Sequence, residues 1–186
     1  NNLTLLQGSV ESGVLKKAHY SIEKTIVLQH DLPWVLEWKA AGNGNSYPGG
    51  KLLSASKDSD SVVRYLYLPA DSRSMIAWGV SSESGNFGFK LSAQGIDIRK
   101  EHIYRIENRI AEDGVNTVYL IVDGVEIGAM VTGYRTSSSP SGSAGSMMEE
   151  PNNWANGRDI YLGYLGEPSN FLLNNMKLSY LKVWEN

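Results

Sequence analysis

Residues 116–128 read N-T-V-Y-L-I-V-D-G-V-E-I-G. Val118, Leu120 and Val122 alternate as a strand with one buried face requires, and Asp123-Gly124 stands where a two-residue hairpin turn demands positive φ. The opposite face carries Tyr119 and Ile121, which are also apolar. The stretch therefore predicts a hairpin, and it raises the question of what its second face touches.

Outward from this hairpin, short β-rich segments recur between clusters of Gly, Asn, Ser and Asp. Predicted strands cover 3–7, 14–19, 25–29, 34–40, 51–55, 62–68, 75–80, 87–91, 96–99, 102–111, 117–123, 125–131, 160–165 and 178–184. No window shows a helical period. This pattern predicts an all-β, two-sheet antiparallel jelly-roll sandwich, with residues 1–186 as one module. Two stretches interrupt it. Residues 41–50, A-G-N-G-N-S-Y-P-G-G, form a Gly/Asn-rich loop, and about 132–158 form a long insertion of turn formers.

The composition of the 186 residues is that of an ordinary globular domain, 41% apolar and 20% charged. A net charge of -3 argues against a nucleic-acid partner. No apolar run approaches the roughly 18 residues that span a bilayer, so no membrane partner is expected. The absence of Cys excludes disulfides and Cys-based zinc sites. The start N-N-L-T-L-L-Q has neither Met nor a signal pattern, which leads us to expect an excised module with neighbouring domains. Tyr (10) and Trp (5) outnumber Phe (3), so most aromatic rings carry a polar handle suited to half-wet surfaces.

Preceding the hairpin, H-I-Y-R-I-E-N-R-I places Tyr104, Ile106 and Ile110 on one face with His102 and Asn108. Arg105, Glu107 and Arg109 share the other face with Ile103. A tight Asp113-Gly114 turn would drive the charges into the core, so the apolar pattern selects a register shifted by one residue, with a longer loop or a bulge. That register pairs Ile110 with Val118 and Ile106 with Val122, and sets Tyr119 opposite Arg109 and Ile121 opposite Glu107. The resulting mixed face reads as a solvated sheet surface, a ligand platform or a subunit contact.

The succession I-Y-R-I-E-N, V-Y-L-I-V-D-G-V-E-I-G, D-I-Y-L-G-Y-L and M-K-L-S-Y-L-K-V-W-E, with the early W-V-L-E-W-K, resembles the concanavalin A-like lectin/glucanase superfamily, including laminin-G-like and sialidase-associated lectin-like modules. The resemblance implies the jelly-roll fold and a ligand that is a sugar, a protein or a polysaccharide substrate. Glucanases of the superfamily carry E-x-D-x-E, but here Gly95 and Arg99 flank Asp97 in the glutamate positions. Jelly-roll polysaccharide lyases carry R-x-E-x-R, and Arg105, Glu107 and Arg109 match its spacing. Their Q-I/V-H strand has no counterpart among His19, His30 and His102, and Tyr161-Leu162-Gly163-Tyr164 lacks their Lys.

No catalytic constellation emerges, and no cofactor is expected apart from Ca²⁺ through Asp58, Asp60, Glu149 and Glu150, residues that a solvated loop explains better. The residues suited to holding a sugar are Tyr47 with Asn43 and Asn45, and Trp154 with Asn152, Asn153, Asn156 and Arg158. Arg105, Glu107, Arg109 and Tyr119 complete the candidate set, the arginines serving an acidic ligand. The sequence thus predicts a non-catalytic, lectin-like carbohydrate-binding module, an accessory or adhesion part of a larger extracellular, cell-surface or phage-tail protein. The alternatives are a structural or homo-oligomerisation domain using the mixed sheet face, and a lyase.

Overall fold

The computed structural model describes residues 3–24, 26, 28, 32–56, 64–68, 75–80, 87–110, 112, 116–131, 159–164 and 172–185. Among them run β1 (Leu3–Glu11), β2 (Val14–Ile22), β3 (Trp34–Gly42), β4 (Gly50–Ser56), β5 (Arg64–Leu68) and β6 (Met75–Val80). Then follow β7 (Phe87–Lys90), β8 (His102–Ile110), β9 (Asn116–Val122), β10 (Val125–Val131), β11 (Asp159–Leu162) and β12 (Met176–Glu185). One antiparallel hydrogen-bonded path connects them in the order β10-β9-β8-β3-β12-β2-β11-β4-β5-β6-β7, with β1 on the other side of β2.

The path doubles over at β2. Met176 of β12 bridges Leu15 near the start of β2, whereas β11 pairs with its end through Leu162 and Tyr20. Side chains from both arms enter one core, Trp38, Tyr104 and Leu120 from one and Leu53, Leu66 and Ile160 from the other. This is the expected two-layer antiparallel jelly-roll sandwich.

Strand β3 shows why these residues form a sheet. Trp34, Leu36, Trp38 and Ala40 are buried, while Val35, Glu37 and Lys39 between them are half-buried on the outer side. Trp38 and Tyr104 are register partners and stack with ring centroids 5.2 Å apart and planes 14° from parallel. Truncating such a buried ring to alanine typically costs about 3–5 kcal/mol. Burial also pushes the Tyr104 phenol well above its ordinary pKa.

The Asp123-Gly124 hairpin forms as predicted. Val122 pairs with Val125, and φ values of 50° and 81° at the two turn residues are those of a type I′ turn. The register of β8 on β9 differs from the expectation by a slide of two residues. Ile106 pairs with Leu120 and Tyr104 with Val122, so Glu107, instead of Arg109, lies opposite Tyr119, and Arg105, instead of Glu107, opposite Ile121. Faces are unchanged, because a two-residue slide preserves the alternation.

What selects this register is Asp123. Its N–H donates to the Ile103 carbonyl at 2.8 Å, and its carboxylate accepts the Ile103 N–H at 2.9 Å. The other carboxylate oxygen lies 2.6 Å from His102 Nδ1. These contacts pin residue 123 against residue 103. The connection then occupies residues 111–115, beyond the Ile110–Asn116 pair, and is longer than a two-residue turn.

Two further expectations are corrected. Residues 96–99 are a turn following a 3₁₀ segment at Leu91–Gln94, so the chain is not wholly without helical turns. Asp97 accepts the Arg99 N–H at 3.1 Å and its guanidinium at 2.9 and 2.8 Å, which curls the backbone, while Ile98 inserts into the core. In 25–29 only Ile26 and Leu28 are described. Both are buried outside any strand, and the Leu28 N–H donates to the Glu185 carboxylate. The predicted insertion at 132–158 lies outside the described residues.

Burial raises the Asp123 pKa, but the His102 and Ile103 hydrogen bonds and the His102 charge outweigh it and leave the carboxyl below its ordinary value. A depressed carboxyl stabilises the fold above its unfolded pKa and ceases to do so as pH falls through the folded value. Asp123→Ala should therefore lose about 1 kcal/mol at neutral pH in urea unfolding. The gap between wild type and variant should narrow as pH falls below about 4, leaving the part due to alanine at a φ of 50°.

Candidate functional site

The second face of the opening hairpin belongs to a platform built from β12, β3, β8, β9 and β10. Register places Lys182, Glu37, Arg105, Ile121 and Glu126 in one cross-strand row. The next row is Trp184, Val35, Glu107, Tyr119 and Ala129. A groove of about 380 Å³ runs over these rows, lined by Glu37, Ile103, Arg105, Glu107, Arg109 and Ile121 among others.

Glu107 is its electrostatic centre. Arg105 Nε lies 2.5 Å and Arg109 Nε 2.7 Å from its two carboxylate oxygens. Arg109 also reaches Glu126 at 3.4 Å and covers the Tyr119 ring, 4.1 Å from its centroid. Arg105 stands 3.8 Å from Glu37, which accepts the Tyr180 hydroxyl at 2.9 Å. The Glu107 side chain is 14% exposed and its two arginines 41% and 48%. Pairs this exposed contribute about 0–1 kcal/mol each, so the network orients side chains more than it stabilises the fold. It also answers the charge of each arginine locally. The face offers planar donors, planar acceptors and the half-buried Tyr119, a set matched to hydroxyls more than to a free acid.

Four predicted site residues, Arg105, Glu107, Arg109 and Tyr119, are thus brought together. Asn43, Asn45 and Tyr47 are placed elsewhere. They follow Gly42 at the far end of β3, about 20 Å along the strand from Val35 in the Glu107 row. Ser46 N–H donates to the Asn43 carbonyl, which closes a tight turn with Asn45 exposed at its tip. Tyr47 packs against the core, and the Arg99 guanidinium lies 4.9 Å from its ring centroid. Arg99 is itself forked onto Asp97, whose carboxyl is held down to about 2 by that hydrogen bond. Trp154, Asn152, Asn153, Asn156 and Arg158 lie outside the described residues, as do Asp58, Asp60, Glu149 and Glu150. Among the described residues no cluster of His, Asp and Glu could hold a metal ion.

A second outer face escaped the sequence reading. On β2 Ala18 joins the core, with Tyr20 and Ile22 packed against it, which directs His19 and Ser21 to the opposite side. Cross-strand pairing sets Tyr161 of β11 beside Ser21 and Ser54 of β4 beside Tyr161. Polar groups pointing away from a core are usually wet. Here His19 is 7% exposed, Lys51 5% and Ser54 0%. The His19 and Tyr161 rings lie 5.1 Å apart, and Lys51 Nζ sits 4.4 Å from the Tyr164 ring centroid. Between them Gly163 donates its N–H to the Lys51 carbonyl at 2.8 Å, and its own carbonyl accepts the Ser54 hydroxyl at 3.0 Å. Gly163 has φ 77°, and a Cβ there would stand 2.4 Å from the Ala18 carbonyl oxygen, so no larger residue fits.

Desolvation lowers the His19 pKa and brings the Lys51 ammonium down to about 8. It raises the Tyr164 phenol. A lysine whose folded pKa lies below its unfolded value penalises folding at low pH and releases that penalty as it deprotonates. Wild-type stability should therefore rise between about pH 8 and about pH 10, measured by urea unfolding, and Lys51→Met should flatten that rise.

No known protein family matches the chain, and neither does any curated protein. Its fold recurs among solved structures. The native heptameric SAP-like pentraxin from Limulus polyphemus aligns over 89% of this chain and 69% of its own, with a TM-score of 0.50 at 11% identity. The full-length tailspike protein 2 from Escherichia coli O157:H7 bacteriophage CAB120 aligns over 98% of this chain and 24% of its own, with a TM-score of 0.50 at 12% identity. At such identities the likeness is one of architecture. By its strand pairing and by these neighbours, the chain is an antiparallel jelly-roll β-sandwich.

Proposed function

We propose that this chain is a non-catalytic carbohydrate-binding module, serving as an accessory or adhesion part of a larger extracellular or virion protein. The observation that carries the reading is the groove centred on Glu107, where two guanidinium groups, two half-buried carboxylates and the Tyr119 ring share one sheet face. Saccharide recognition needs such a combination, an aromatic surface for C–H groups and planar polar groups with fixed orientation for hydroxyls. Glu107 holds both arginines, so the donors are pre-oriented before a ligand arrives. The match of nearly the whole chain to about a quarter of a tailspike supports its being one module among others.

The same observation weakens the lyase alternative. Glu107 already balances part of the charge of Arg105 and Arg109, which reduces what they offer to neutralise a substrate carboxylate. A structural or oligomerisation role has a separate observation in its favour. Leu3, Leu5, Leu6 and Val10 of β1 are 51%, 43%, 53% and 51% exposed, on a strand that pairs only with β2 among the described residues. Light scattering that finds a concentration-independent oligomer would favour that role.

Glycan-array screening followed by calorimetry tests the main reading. Tyr119→Ala and Glu107→Gln should each weaken binding by about tenfold, some 1.4 kcal/mol, while far-ultraviolet circular dichroism stays that of wild type. Absence of binding to any glycan, or equal affinity in both variants and wild type, would rule out this groove. Release of ultraviolet-absorbing unsaturated products from an acidic polysaccharide would restore the lyase.

A further inference from the structure

The hollow on the Glu107 face does not end with the groove over its centre. A second one of about 390 Å³ shares Arg105, Glu107 and Arg109 with the first and continues to Pro33, Val35 and Trp184. Trp184 stands at the end of the cross-strand row that runs through Val35 and Glu107 to Tyr119. Leu181 and Val183 of β12 pack against the core, so alternation turns the indole to the outer side. It is 48% exposed, more than any other aromatic side chain that the structure describes.

A singly exposed apolar residue needs no explanation of its own. Trp184 differs because it walls a hollow on the same face as the oriented arginines and Glu107. It is separated from Tyr119 by the spacings of β12 to β3, β3 to β8 and β8 to β9, a span of about 14 Å. At the far end of that span the Tyr119 ring lies under the Arg109 guanidinium, 4.1 Å from its centroid.

We propose that the two hollows form one trough for an internal stretch of a neutral, extended oligosaccharide lying across the strands, with Trp184 stacked on a sugar at one end and the Tyr119–Arg109 pair holding the other. This rests on the carbohydrate reading above, to which it adds the length and charge of the ligand and Trp184 as a recognition residue. Length follows from the span, since a single pyranose ring cannot touch both ends and a chain of several can. Charge follows from the walls, where Glu37, Glu107 and Glu126 are matched by Lys182, Arg105 and Arg109 and leave no excess to recruit an acid. An indole supplies a flat apolar face for sugar C–H groups and an N–H donor for a hydroxyl. A ligand that reaches both ends engages the second as an intramolecular event, at little further entropic cost.

The test is calorimetry of the whole chain with cellohexaose, xylohexaose and mannohexaose, each beside its dimer. At least one hexaose should bind, and about tenfold or more tighter than its dimer. Trp184→Ala should weaken the hexaose about tenfold and close the gap to the dimer, with far-ultraviolet circular dichroism unchanged. Trp184→Phe should keep most of the affinity and abolish the saturable change in tryptophan emission that the hexaose causes in wild type. Equal affinity for dimer and hexaose overturns the proposal, as does tighter binding of hexagalacturonate than of every neutral chain. Unchanged hexaose binding in Trp184→Ala also overturns it and assigns the indole to the apolar hollow that it borders with Leu3 and Leu178. Each of these results leaves the Glu107 groove standing as a sugar site, provided Tyr119→Ala still weakens binding. Failure of all three hexaoses overturns the proposal alone when another glycan binds, and takes the carbohydrate reading with it when none does.

Discussion

The contacts between Asp123 and the start of β8 govern most of what the β3–β8–β9 layer presents on its two faces. Asp123 holds residue 103 by two backbone-directed hydrogen bonds and His102 by its second carboxylate oxygen. Through antiparallel pairing that single anchor brings Tyr104 beside Val122, and Trp38 lies beside Tyr104 on the next strand. The same anchor brings Glu107 beside Tyr119 on the outer side. Moving the anchor by two residues would keep every side chain on its face. It would nevertheless separate Glu107 from Tyr119 and shift the ion network relative to the groove. Buried packing on one face and polar geometry on the other therefore depend on one turn residue.

The outer faces of the two layers illustrate opposite solutions to the problem of a polar sheet surface. On the β8–β9 face each charge has a partner close by, and the arginines remain 41% and 48% exposed. Neighbouring charges answer most of this surface, although the Arg105 Nε–H meets Glu107 as an ion pair without hydrogen-bond geometry. On the β2–β11–β4 face the polar groups are buried, and the His19 ring nitrogens lack hydrogen-bond partners. The first face holds its polar groups in fixed orientation, and the second carries the desolvation cost of its buried ones.

Much of the fold was legible because period-two alternation and Asp-Gly turn chemistry are local signals. The Asp123-Gly124 turn, the inward set Tyr104, Ile106 and Asn108, and the outward set Arg105, Glu107 and Arg109 all follow from them. The two-residue register slide was not legible, since alternation is identical in both registers and the deciding contact joins Asp123 to His102 and Ile103. I-D-I-R at 96–99 alternates like a strand, yet Asp97 bonds to Arg99 two residues on and bends the chain. The His19 face was beyond reach for a different reason. His19, Lys51 and Tyr161 come from three distant segments, and no spacing rule connects them. The one local hint was K-L-L-S-A-S in β4, where Lys51 and Ser54 interrupt an otherwise small and apolar run that is buried on both sides.

Gly163 shows how much of the second layer rests on one missing side chain. It directly follows β11, where the chain passes so near β2 that a Cβ would meet the Ala18 carbonyl oxygen at 2.4 Å. Its N–H donates to the Lys51 carbonyl and its carbonyl accepts the Ser54 hydroxyl, so the same residue ties β4 to β2. A larger residue here would disturb the approach to β2 and both contacts with β4 together.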